Sequence, residues 1–236
     1  MNSNKLSKRL DEVANFVIEY SKKPIRLADI GSDHAYLPCN LALNNHIEYA
    51  IAGEVVRGPY ESAKREVGSQ MLSDMIDVRL GDGLEVVNLN DLINVVTICG
   101  MGGILIRDIL QQCHDRITPN HLLVLQPNMA EPQLREWLIA NHYHIIDETI
   151  LTEQKHSYEI IVAKHEPNHP AQSLSHLEMF FGPINLKEKS TDFVYKWEQE
   201  LTSRQRIVDA IKLASSDKSD KIEEMEKIIQ TIKEVL

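Results

Sequence analysis

Leu27-Ala28-Asp29-Ile30-Gly31-Ser32-Asp33-His34-Ala35-Tyr36-Leu37-Pro38 reads as a strand, a tight glycine turn and a helix start. Aliphatic residues carry the chain in. Gly31 can take a backbone conformation that a Cβ disfavours, and Pro38 suits a first helical turn, where a missing N–H leaves nothing unpaired. A strand that ends at a glycine and feeds a helix N-terminus makes a nucleotide-type ligand site. The dinucleotide version, G-x-G-x-x-G, sets bare backbone against a pyrophosphate. Here only the first glycine is present, and Asp33 takes the place of the second. A carboxylate there repels a pyrophosphate and tolerates a cationic ligand. The stretch therefore points away from NAD and towards S-adenosylmethionine, whose sulfonium and amino group are both positive.

Downstream, the same pattern repeats. A strand over 46–54 ends in Glu54, 23 residues after Gly31, where a nucleotide-binding α/β unit puts an acid on the ribose hydroxyls. Val55 beside it is a further candidate for the cofactor. A strand over 76–80 runs into Gly81-Asp82-Gly83. Asp82 is placed to accept the exocyclic amine of an adenine, with Gly83 next to it, although Gly-Asp-Gly is also a common turn. A strand over 94–99 is apolar enough to be buried on both faces and ends in Gly100-Met101-Gly102-Gly103, whose glycines let backbone approach a ligand. Met101 is a candidate to pack on an adenine or on the methionine part of a cofactor. A fifth strand over 121–125 ends in Gln126-Pro127-Asn128, and side-chain amides can read the edge of a base. Helices over 37–44, 59–67, 104–113 and 131–140 separate these strands. Strands over 143–151 and 157–164, joined by about five polar residues, then form a closing hairpin. Five β-α units with ligand-like residues at each strand exit, followed by a hairpin, predict an α/β fold, a Rossmann-like class I methyltransferase sheet of seven strands.

Residues 5–21 carry helical apolar spacing, and Lys5, Lys8 and Arg9 cluster at its start as a candidate phosphate contact. Positive charge concentrates there: residues 1–26 hold six Lys/Arg against three Asp/Glu, whereas residues 27–110 hold five against twelve. The formal net charge of −10 argues against a protein that coats nucleic acid non-specifically. Three cysteines without C-x-x-C spacing argue against disulfides and structural zinc and for a reducing cytoplasm. The N-terminus has no apolar signal core, and no apolar run reaches membrane-spanning length. Glu166-Pro167-Asn168-His169-Pro170 breaks the pattern and marks a boundary between a domain of residues 1–166 and one of residues 167–236. In the second, Val194, Trp197, Leu201, Val208 and Ile211 face Ile222, Met225, Ile229, Ile232 and Leu236 as the seam of a coiled-coil-like helical hairpin, turning at residues 215–220.

The strand-exit motifs Asp29 to Pro38, Gly81 to Gly83, Cys99 to Gly103 and Gln126 to Asn128, taken together, resemble the TrmK family, bacterial tRNA (adenine(22)-N(1))-methyltransferases. The resemblance covers nearly the whole chain. It implies an S-adenosylmethionine domain, a C-terminal coiled-coil-like domain and a tRNA substrate methylated in its D arm. By position, Asp29, Gly31, Asp33 and His34 match the first cofactor loop, Glu54 the ribose carboxylate, Asp82 the adenine partner, and Gly100 to Gly103 the loop under the methionine part.

Adenine N1 has an in-plane lone pair and no proton to lose, so attack on a sulfonium methyl needs no prior general base, and positioning supplies most of the rate. N1 lies on the Watson–Crick edge, so in paired RNA the base must leave the stack. Tyr36 and Pro127 are candidates to hold it at the pocket mouth. Asp33, Tyr36, Gln126 and Asn128 are the candidate catalytic residues, and Arg57 joins the substrate side. No metal is expected. Two other functions stay open on the residues alone: a methyltransferase of the same fold acting on a small molecule or protein, and a non-catalytic RNA-binding module. The acids retained at three strand exits argue against the latter.

Overall fold

The computed structural model describes residues 2–116, 121–214 and 219–236. Short aliphatic runs pair into one sheet: β1 (Arg26–Ile30), β2 (Tyr49–Glu54), β3 (Ile76–Leu80), β4 (Val95–Met101), β5 (Leu122–Pro127), β6 (Tyr143–Glu153) and β7 (His156–His165), in the order β3-β2-β1-β4-β5-β7-β6. The first five strands pair in parallel, and β7 runs antiparallel to both β5 and β6. Side chains alternate across the sheet. Leu27, Val95 and Val124 face one apolar cluster, covered by α1 (Lys8–Tyr20), α2 (Tyr36–Leu43) and α3 (Arg57–Ser69). Ala28, Val96 and Leu123 face the other, covered by α4 (Gly103–Gln112) and α5 (Glu131–Ala140). With both faces covered, these strands read as continuous apolar runs, and only their ends are left for polar chemistry.

The expected elements are present with shifted ends. Helix α1 starts at Lys8, because the Ser7 side chain accepts from the Leu10 N–H and caps it, while Lys5 pairs with Asn2 in an isolated bridge. The closing hairpin turns in two residues, Gln154 and Lys155, not about five. Both are left-handed, with φ of 50° and 70°, as a type I′ turn requires.

The C-terminal helices depart further from expectation. The first arm of the expected hairpin is α8 (Thr191–Ala214), preceded by two short helices, α6 (His176–Phe181) and α7 (Pro183–Glu188), and separated from α7 where Lys189 takes φ of 46°. Helix α9 (Ser219–Val235) lies along α8, tied by Lys212 to Glu226 at 2.7 Å and by Lys189 Nζ to the Val235 carbonyl at 2.6 Å. Trp197, Val208, Ile229 and Ile232 are buried as the seam predicts, but Val194 and Leu236 are exposed, and Phe193 and Val235 take the inward places. Residues 215–218 of the expected turn lie outside the described residues. Near its start, α8 docks on the sheet: Phe181, Phe193 and Trp197 pack with Ile150 of β6 and with Ile232 and Val235, and the Phe181 and Trp197 rings meet at 4.6 Å, edge to face.

A buried ion network lies beside this cluster. Arg135 of α5, fully buried, donates to Glu148 at 3.0 Å and Glu159 at 2.5 Å. Lys196 of α8 pairs with the same Glu159 and, at 3.0 Å, with Glu131. Glu148 also accepts from the Ile184 and Asn185 N–H groups at the start of α7. Burial pushes Glu148 up. Burial also acts to raise Glu159, but Lys196 and Arg135 prevail and hold it below its ordinary value. Residues on both sides of position 166 therefore share one set of charges. Arg135→Ala leaves Glu148 without an ionic partner and is expected to lower the unfolding free energy by about 3–5 kcal/mol. Urea denaturation checks this, and a loss below about 1 kcal/mol would show that the network holds little of the structure together.

Candidate active site

The exits of β1, β2 and β4 meet at one edge of the sheet. Three residues of the loop after β1 are left-handed, Gly31 (φ 71°), Asp33 (φ 56°) and Ala35 (φ 55°), and the chain curls tightly enough to start α2 at Tyr36. Gly31 suits this left-handed position, and a Cβ there would have to displace the Met101 methyl, the flexible end of that side chain. The curl is held by carboxylates. Asp29, 4 % exposed, accepts from Thr97 Oγ1 at 2.6 Å and Ser32 Oγ at 2.5 Å. Burial pushes its carboxyl up, opposed by those two hydroxyls and by the charge of Arg9. Glu54, 6 % exposed, accepts the Asp33 N–H. It too is pushed up by burial, against that hydrogen bond.

These groups line a cleft of about 380 Å³. Asp29, Gly31, Asp33, His34, Tyr36, Glu54, Gly100 and Met101 are brought together in its wall, as the sequence predicts, and Arg9 joins them. The Tyr36 ring stacks on His34 with centroids 5.1 Å apart. Val55 lies just outside, 62 % exposed. Asp82 and Gly83 sit at the exit of β3, one strand beyond β2 and outside the cleft wall, with Asp82 exposed. Gly102 and Gly103 are also outside it. A Cβ on Gly103 would strike the Ala130 carbonyl, so this glycine lets the loop after β4 pack on the loop after β5.

Several expected substrate residues are placed differently. Gln126 is fully buried, and its amide is already engaged: Oε1 accepts from Arg9 at 2.5 Å and the Gly100 N–H at 3.0 Å, and Nε2 donates to Pro127 and Asn128. It supports the loop rather than facing a base. Pro127 is buried at the end of β5 and is not part of the cleft wall. Asn128 is exposed and donates to the Gly100 carbonyl at 2.8 Å. Arg57 is 86 % exposed and sits 3.9 Å from Glu61, outside the cleft. The three N-terminal cations do not act as one patch. Lys5 is exposed, Lys8 leans on Thr152 and lies 3.8 Å from Asp192, and Arg9 turns inward. Ser32 and Thr97 are functional neighbours that the sequence reading passed over. Thr97, one hydroxyl within an apolar strand, was the available signal.

A second groove, of about 640 Å³, begins at Asn128 and runs between the start of α5, the β6–β7 turn and α8. Lys155 and Arg204 line it, together with Trp197, whose indole N–H is buried without a hydrogen-bond partner. Among the described residues, no cluster of His, Cys, Asp or Glu is arranged to hold a metal ion, and no helix is long and apolar enough to cross a membrane.

The family model described as tRNA (adenine(22)-N(1))-methyltransferase, TrmK, matches residues 27–234. The chain belongs to the TrmK family. It is 43 % identical to the tRNA (adenine(22)-N(1))-methyltransferase of Bacillus subtilis, over all of this chain and 99 % of that one. A Streptococcus pneumoniae structure in complex with S-adenosyl-L-methionine superposes with a TM-score of 0.87 at 40 % identity, covering 98 % of this chain and 100 % of the other. The structure of M. capricolum TrmK in complex with S-adenosyl-homocysteine does so with a TM-score of 0.81 at 29 % identity, covering 97 % and 96 %. The expected seven-stranded methyltransferase sheet of the TrmK family is thus present.

Because the native Asp29 is pushed above its ordinary value, it takes up a proton at a higher pH than the unfolded chain does. Its contribution to stability is full below the unfolded value and is lost as pH rises through the folded one. The unfolding free energy of the wild type relative to Asp29→Asn is therefore expected to rise as pH falls from neutrality towards the ordinary carboxylate range. Denaturation at a series of pH values measures it, and a flat or opposite difference would show that Asp29 is not held up by burial.

Proposed function

We infer that this chain transfers the methyl group of S-adenosylmethionine to N1 of adenine 22 in tRNA. The observation that carries this reading is the acid-walled cleft of about 380 Å³ at the sheet edge, in a chain whose match to the TrmK family spans residues 27–234. Glu54 takes the ribose hydroxyls, and Val55 and Met101 give the nucleoside apolar contact. Asp82 approaches the adenine amine from the next strand exit. Asp29 fixes the loop that holds the cofactor, with Asp33 and His34 at its rim.

In the reaction, the N1 lone pair forms the new bond to the methyl carbon as the carbon–sulfur bond breaks. The bonding pair leaves with sulfur, giving S-adenosyl-homocysteine, and the positive charge passes to the base. No proton moves. Tyr36 offers a stacking face to the adenine, and Asp33 and Asn128 favour the developing cation or accept from N6. The groove that starts at Asn128 takes the adjoining RNA, with Lys155 and Arg204 facing phosphates. The cytoplasm, where tRNA is made and used, is the proposed location. Residues 1–166 bear the chemistry and residues 167–236 bear on RNA.

Incubation with methyl-labelled S-adenosylmethionine and tRNA, followed by nucleoside analysis, is expected to give 1-methyladenosine at position 22. A methyl on N6, or on a small molecule or protein in place of tRNA, would overturn the reading. Glu54→Ala is expected to weaken S-adenosylmethionine binding by about 1–3 kcal/mol in calorimetry.

Lys155→Ala is expected to weaken tRNA binding across tRNA species and to lower the salt dependence of log K by about one. Its S-adenosylmethionine affinity should stay at the wild-type value. Unchanged tRNA affinity at every salt concentration would remove the groove from the RNA path.

A further inference from the structure

Three carboxylates line the cleft, Asp29, Asp33 and Glu54, and among the described lining residues the only permanent cation is the guanidinium of Arg9. S-adenosylmethionine is itself lopsided in charge. Its sulfonium and ammonium are cationic, and its one anion is the α-carboxylate at the far end from the adenine. Acids suit the first two groups and the ribose hydroxyls. They repel the third.

Arg9 reaches this place from α1 by long-range packing. Its Nη1 donates to Gln126 Oε1 at 2.5 Å, and its guanidinium carbon lies 5.4 Å from the centre of the Tyr158 ring. Gln126 is a neutral acceptor, locked by its bonds to Gly100, Pro127 and Asn128. Among the described residues, no carboxylate forms an ion pair with Arg9 within 4.0 Å. A guanidinium has five N–H donors, so one bond to an amide leaves charge and donors for a ligand. Gly100 has φ of 77°, and a Cβ there would lie 3.8 Å from Arg9 Nη1, so the backbone at the β4 exit is bare beside the cation. Strand order gives the direction. Glu54 ends β2 and Gly100 belongs to β4, on opposite sides of β1. A cofactor with its ribose at Glu54 and its body over Gly31 brings its amino-acid end to Gly100 and Arg9.

We propose that Arg9 binds the α-carboxylate of S-adenosylmethionine, and is a cofactor residue rather than a tRNA phosphate contact. This rests on the reading of the cleft as the S-adenosylmethionine site. Charge-assisted bidentate geometry is what a guanidinium offers a carboxylate, and a lysine in its place keeps the charge and loses the fork.

The test compares three ligands on the full-length protein by calorimetry: S-adenosylmethionine, 5′-methylthioadenosine, which has the same nucleoside and no amino-acid part, and tRNA. Arg9→Ala and Arg9→Gln are expected to weaken S-adenosylmethionine about 10- to 100-fold, with 5′-methylthioadenosine and tRNA changed by less than about twofold against that scale. Arg9→Lys should recover part of the loss. Equal loss for S-adenosylmethionine and 5′-methylthioadenosine would overturn the proposal, because Arg9 would then act through the Gln126 loop. So would lost tRNA affinity with unchanged S-adenosylmethionine affinity. Wild-type protein that binds neither nucleoside ligand would overturn the cofactor reading of the cleft, and this proposal with it.

Discussion

The buried carboxylate of Asp29 is the constraint on which the site depends. An unpaired charge in a protein interior is costly, and the group either finds partners or takes a proton. Asp29 finds the hydroxyls of Thr97 on β4 and Ser32 in its own loop. Those two bonds fix where the chain goes after β1. Ser32 is drawn back against the strand, Gly31 must turn left-handed, and the following N–H, that of Asp33, is delivered to Glu54 on β2. Two carboxylates, Asp29 and Glu54, therefore tie the loop after β1 to β4 and β2, and the cleft is the space this leaves open. Substituting the Gly31 hydrogen by a methyl would disturb the same place from the other side, through Met101.

The strand exits were legible in the sequence because each is a local event. An aliphatic run that stops at a glycine or an acid announces the end of a buried strand within a few residues, and parallel pairing brings such ends to one edge. Asp29, Glu54 and Gly100 were found this way. What stayed hidden depends on partners far along the chain. Arg9 looked like one of three surface cations, yet its partner Gln126 is 117 positions away. Gln126 looked like a base reader, yet its amide is engaged by Arg9, Gly100, Pro127 and Asn128. Gly103 looked like a cofactor glycine and instead answers to the Ala130 carbonyl. The seam of the C-terminal helices was misplaced by one residue only at its ends, Val194 and Leu236, where Phe193 and Val235 turn inward to the cluster with Phe181 and Ile150, contacts that periodicity alone does not reveal.

The ion network around Arg135 has a second consequence. Polar groups at this depth contribute little to net stability compared with an apolar core of the same shape, but they are strict about geometry. Glu159 on β7 is satisfied only when Arg135 of α5 and Lys196 of α8 are both in place. Glu148 on β6 needs the N–H groups of Ile184 and Asn185. A helix pair held to a sheet by apolar contact alone could slide or rotate. Here α8 has one registered position, and with it the wall of the groove that starts at Asn128. If the groove takes the RNA as proposed, rigidity in this wall matters for a substrate whose reacting atom must be aligned with a methyl group held elsewhere on the sheet.

That alignment bears most of the burden, for a reason rooted in charge. Methyl transfer from a sulfonium to a neutral nitrogen creates no new charge. It moves one positive charge by a few bond lengths, from sulfur to the base. Carboxylates near the cofactor stabilise the ground state about as well as the transition state, so their presence by itself favours binding rather than rate. On the proposed reading, Asp29 and Glu54, fixed at the loop and at β2, belong to this binding group. A group can assist the step only if it lies nearer the base than the sulfur. Among the cleft acids Asp33 is the exposed one, with 68 % of its side chain open to solvent, and it stands at the rim where an incoming base would arrive. Its left-handed backbone serves two ends at once: the N–H is turned inward to Glu54 while the carboxylate is left outside. The glycine that a dinucleotide site would use here could supply the turn, but not the charge.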